Sequence, residues 1–133
     1  MRRILFIIVI VGALMLVACE ASATEAVETP APVPAGFAGA TNQFGADAAP
    51  EGAKIFSANC ELCHGPQGHG DGIAGQSLEP SPKNLANLQE TVGDDFLFWR
   101  IHEGKPGTAM VAWNGILTDE QIWQIVSFIR TLK

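Results

Sequence analysis

Five residues, Cys60-Glu61-Leu62-Cys63-His64, constrain this 133-residue chain more than any other stretch of it. Two thiols and an imidazole at i, i+3 and i+4 project from one side of a helical turn, within reach of a single ligand. Three things could be held there: a zinc ion, a reactive dithiol pair, or a covalently attached haem. Each makes a different demand on the rest of the chain.

The chain begins with an accessory segment. Met1, Arg2 and Arg3 form a positive start, and Ile4 to Ala18 is an unbroken apolar run with the composition of a signal-peptide core. It is short for a bilayer span, which needs about twenty residues. The run ends in Leu16-Val17-Ala18-Cys19, which resembles the lipobox of bacterial lipoproteins, where the cysteine is lipidated and becomes the new N-terminus. An uncleaved anchor and an ordinary secretory signal are the alternatives, and all three place the rest of the protein outside the cytoplasm. The expected organisation is 1–18 lipoprotein signal peptide, 19–49 lipid anchor and Ala/Pro-rich tether, and 50–133 folded domain. The tether shows neither helical nor strand periodicity. Fully extended it would reach roughly 90 Å, against about 30 Å as a flexible coil. Phe37 and Phe44 are its only large aromatic residues, open to docking on the domain or on a partner.

Three segments of the domain read as helices: 50–59, 94–103 ending at Gly104, and 118–132. The last has Thr118 as N-cap, Gln121 at the capping-box position, and Ile122, Ile125, Val126 and Ile129 on one face. No strand pattern competes, so the class is small all-α. Glycine- and proline-rich loops take up much of the remainder, and a domain of roughly 85 residues with three short helices lacks apolar mass. A haem would supply it. Zinc requires four regular ligands, and beyond the cluster only His69 and His102 remain as histidines. A thioredoxin-like dithiol wants a preceding strand, whereas "PEGAKIFSAN" reads as helix. Cysteine arithmetic agrees, with Cys19 assigned to lipid and Cys60 and Cys63 to haem. C-x-x-C-H is the attachment signature of c-type haem, the thiols forming thioethers and His64 becoming the proximal iron ligand.

Over nearly all of 50–133 the chain resembles a class I c-type cytochrome. That resemblance implies the family's fold, three or more short helices and long loops around one covalently bound haem c, and further site residues. Met110, the only methionine after signal removal, lies in "GTAMVAW", similar to the family's methionine-ligand loop with Val111 where proline is usual. It is the expected sixth ligand, with core packing as the alternative and His102 and His69, both expected to face solvent, as runners-up. Pro80 or Pro82 would offer a carbonyl to the other nitrogen of His64. Trp99 and Trp113 would wall the haem. Gly52 and Phe56 would cross the C-terminal helix against Ile125 and Phe128.

From Cys19 onward six Lys and Arg stand against fourteen Asp and Glu, a net charge of −8. Nucleic acid and anionic surfaces suit such a chain poorly, and a docking redox partner is expected to present basic residues. Lys54, Lys83 and Lys105 are candidates for a local positive rim. No constellation of general acid, base or nucleophile appears, and a six-coordinate iron offers no substrate position, so neither an enzyme nor a small-molecule substrate is expected. The expected function is one-electron transfer by a monohaem cytochrome c in a respiratory or photosynthetic chain. It would be lipid-anchored at the outer face of the cytoplasmic membrane, between membrane-bound partners such as a quinol-oxidising complex and a terminal oxidase. The alternative is a fixed haem subunit of a membrane oxidoreductase, resembling those of alternative complex III or cbb-type oxidases.

Overall fold

The computed structural model describes residues 29–133. The expected signal sequence and Cys19 lie outside the described residues. Among these, five α-helices occur and no strand: α1 Ala49–Asn59, α2 Glu61–His64, α3 Leu85–Leu88, α4 Asp94–Glu103 and α5 Asp119–Ile129, with 3₁₀ turns at Ala46–Ala48 and Gly75–Ser77. None of the helices is long and apolar enough to cross a membrane.

The helix ends follow from their sequences. Pro50 sits in the first turn of α1, where a missing N–H costs nothing. Asp94 and Asp95 begin α4 at the positive end of its dipole, and Gly104, at φ +67°, closes it. The Thr118 side chain caps α5 by accepting from Gln121 N, and Gln121 returns the bond to Thr118 N, a complete capping box. The helix stops at Ile129, short of the expected 132, because Thr131 N and Leu132 N bond three residues back, to Phe128 and Ile129. That is a tightened last turn.

The core is the crossing of α1 and α5, closed on one side by α4. At Gly52 a β-carbon would collide with the Gln124 carbonyl, so the two backbones touch. One turn on, the Phe56 and Phe128 rings lie 5.0 Å apart. Ile122, Ile125 and Val126 are almost wholly buried beneath them. We expect Gly52→Ala to destabilise the haem-loaded protein by about 1–3 kcal/mol, the usual cost of overpacking, read as a lower urea midpoint. An unchanged midpoint would show that the helices separate freely. Across the core Phe98 stacks on Trp123 at 4.2 Å. Arg130, the residue that caps the C-terminus of α5, bonds Asp94 at 2.8 Å, the Val92 carbonyl at 2.9 Å and the Gln89 carbonyl, which ties the α3–α4 loop to the end of the chain.

The described tether residues lie against the domain. A turn at Pro34 presents Phe37, whose ring sits 6.2 Å from Phe98 and 5.3 Å from His102. Asn42 donates to the Trp123 carbonyl at 3.0 Å and to the buried Ser127 hydroxyl at 2.8 Å. Gly39 N donates to Asp95 at 2.9 Å. Docking half-buries one aromatic ring and satisfies a polar group on α5, contacts that no periodicity in the segment announces. Phe44 stays 40% exposed.

Candidate functional site

Cys60 closes α1, its N–H bonded to Phe56 O, and the chain re-enters a helical turn at once, with Cys63 N and His64 N both bonded to Cys60 O. That turn sets both thiols and the imidazole on one wall of an apolar cleft of about 320 Å³, within the range of cofactor sites at ~300–1,000 Å³. Phe56, Leu97, Ile101, Ile125 and Ile129, all buried core residues, form its inner surface. Met110 lines the same cleft from the loop after α4. That loop is folded back tightly: Lys105 N donates to Met110 O at 2.9 Å, Met110 N to the Thr108 hydroxyl at 3.2 Å, and a β-carbon on Gly104 would strike the Met110–Ala112 backbone.

His64 Nδ1 lies 3.3 Å from the carbonyl of Lys83. This corrects the expected acceptor: Pro80 and Pro82 line the cleft, but the turn they build delivers the carbonyl of the next residue. A proton donated from Nδ1 leaves Nε2 as the nitrogen open to a metal. Burial lowers the His64 pKa below 6.5, opposed by the Lys83 bond, and so favours the neutral imidazole that ligation needs. Cys60 and Cys63 are free thiols. Burial, with Cys63 beside it, pushes Cys60 up to about 12, the opposite of the depressed pKa of a reactive dithiol. Among the described residues no group of three or more His, Cys, Asp or Glu is arranged to hold a metal ion.

Trp113 lines the cleft and Trp99 does not, a second correction. On α4 the cleft face is that of Leu97, Arg100 and Ile101, spaced i, i+3, i+4, and Trp99 falls well round the helix from it. Its ring instead supports the Arg100 guanidinium at 4.1 Å. Arg100, which sequence reasoning passed over, donates to the Gly104 carbonyl at 3.0 Å and lines the cleft; its spacing from Leu97 was the signal. His69 is exposed, bonded to the Lys133 carbonyl at 3.1 Å. His102, expected in solvent, is only 22% exposed, held under Phe37 and 2.7 Å from Glu103. Neither lines the cleft.

The donor set, two thiols, an imidazole and a thioether lining one apolar cleft, fits a covalently held haem. The comparisons agree. The profile of the family described as cytochrome c oxidase, cbb3-type, subunit III matches residues 47–129. A cytochrome c6 of Synechococcus elongatus is 35% identical over 78 residues, 59% of this chain and 83% of that protein. A cytochrome c6 of Thermosynechococcus vestitus is 35% identical over 59% of this chain, which spans 64% of its length. Among solved structures, a reducing HAO-like protein complex of Kuenenia stuttgartiensis superposes with a TM-score of 0.56 at 30% identity, over 61% of this chain and 40% of that one. With that match over more than half its length, the chain belongs to the family of cytochrome c oxidase, cbb3-type, subunit III, as a class I c-type cytochrome domain that binds haem c covalently and transfers electrons.

Proposed function

We propose that the protein is a membrane-tethered monohaem electron carrier, organised as 1–18 signal peptide, 19–49 lipid anchor and tether, and 50–133 haem domain. Cys60 and Cys63 would hold the porphyrin by thioethers, and His64 and Met110 would ligate its iron. The observation that carries this reading is the meeting of Cys60, Cys63, His64 and Met110 in one apolar cleft. When bound, haem supplies one-electron cycling between ferric and ferrous iron.

The chain's own residues do the rest. Lys83 O holds the Nδ1 proton of His64 and fixes the ring. The Lys105 and Thr108 bonds hold the backbone of Met110 in place, and a thioether at that position favours the reduced state relative to a second imidazole. Phe56, Ile101 and Ile125 exclude water.

Cys19, as the lipidated residue, tethers the protein to the outer face of the membrane, where a quinol-oxidising complex or a terminal oxidase exchanges electrons with it. Cys19→Ser is expected to release the protein from the membrane with its visible spectrum unchanged; full retention of the substituted protein would sink the lipid anchor. The second reading, a fixed subunit, draws support from the oxidase-subunit description of the family and from a structural neighbour that is itself part of a complex. Gentle detergent extraction followed by native sizing with haem staining tests the two. Migration as a free small protein supports the carrier, and comigration with a large assembly supports the subunit.

A further inference from the structure

Two independent features of the fold point to the same face. The first is the exit of the chain. Phe37 and Asn42 pin the segment before α1 onto α4 and α5, and upstream of that pin Thr29, Pro30 and Ala31 line the cleft together with Met110. The chain therefore leaves the domain at the rim of the cleft. Nine residues, 20–28, separate Cys19 from Thr29, and the ten steps between those two positions span at most about 35 Å when fully extended.

The second is charge. The described residues carry eleven Asp and Glu against six Lys and Arg. None of the eleven lines the cleft, whereas three of the six do: Lys83, Arg100 and Lys105. Two haem propionates would offset part of this charge without reversing it. An anionic surface repels the body of such a molecule and accepts this rim.

We infer that the rim of the cleft is the membrane-facing surface. The docked segment directs the cleft mouth toward the bilayer, and the Lys83, Arg100 and Lys105 side of the rim seats against anionic lipid headgroups. This reverses the expectation that anionic surfaces suit the chain poorly, and it rests on the reading of Cys19 as the lipid anchor.

The test uses the full-length, haem-loaded protein on phosphatidylcholine vesicles carrying a trace of headgroup-labelled fluorescent lipid, with and without phosphatidylglycerol. Haem quenches nearby fluorophores by energy transfer, so quenching reports how close the cleft lies to the headgroups. Quenching is expected on neutral vesicles and should rise about two-fold or more on anionic ones. The increment should vanish in high salt, where the screening length falls to about 3 Å at 1 M. Phe37→Ala combined with Asn42→Ala frees the exit and lowers quenching on both vesicles, while the visible spectrum, unchanged, shows that the domain stays folded. Quenching that ignores both lipid charge and the double substitution overturns the inference, as does an anchored protein that does not quench at all. A protein that cosediments with neither vesicle overturns the lipid anchor as well, a failure distinguishable from the other two.

Discussion

Replacing both Cys60 and Cys63 by alanine should yield a colourless and largely unfolded domain, while haem in the native protein survives denaturation and acid-acetone extraction. The reason lies in how the core is shared. Phe56, Leu85, Phe96, Leu97, Ile101, Ile125 and Ile129 are buried residues that also line the cleft, so without haem each loses a packing partner across it and the core is left around an unfilled cavity. The hydrophobic contribution at stake is several kcal/mol, comparable with the roughly 5–15 kcal/mol that holds a domain folded. Far-ultraviolet circular dichroism and the visible band of the purified double variant give the result. Haem that extracts freely from the native protein, or a double variant that remains helical and cooperatively folded without colour, would overturn this account of the site.

Met110→Ala has the next largest expected effect, and its readout is spectroscopic. It should open a coordination position, so that the ferrous protein binds carbon monoxide, which the native protein takes up poorly. Met110→His should keep a six-coordinate low-spin haem with a clearly lower reduction potential, since imidazole lacks the preference of thioether sulfur for ferrous iron. Because the loop is held through the backbone of Lys105 and the Thr108 hydroxyl, neither substitution removes the bonds that shape it. Ready carbon monoxide binding by the native ferrous protein would mean that Met110 is not a ligand and would revive an enzymatic reading. A spectrum and potential insensitive to Met110→Ala but changed by His102→Ala would indicate a bis-histidine carrier, against the position of His102 outside the cleft.

Local chemistry made much of the fold legible. Helix α4 was marked at both ends by Asp94 and Gly104, α5 at its start by Thr118 and Gln121, and the all-α class by the absence of any period-two pattern. The short α3 was not foreseen, because one helical turn between loops is too brief to carry a period. The Lys83 carbonyl was missed for a related reason. Residue types identify which side chains can act, but every residue owns a carbonyl, and only the path of the loop selects one. Trp99 was misplaced because its size suggested a wall, whereas its angular position on α4 turns it away from the cleft and brings Arg100 in.

What the sequence determined by itself was chemistry at short range: the Cys60, Cys63 and His64 turn and the helix caps. These depend on covalent spacing and on the preferences of a few adjacent residues. Only the tertiary structure decided which side of α4 meets the cleft, which carbonyl reaches His64, how Phe37 and Asn42 fasten the segment before α1, and that Lys83, Arg100 and Lys105 line one cleft. Those outcomes depend on contacts between residues 19 to 85 positions apart, and their partners become adjacent only once α1, α4 and α5 have packed around one core.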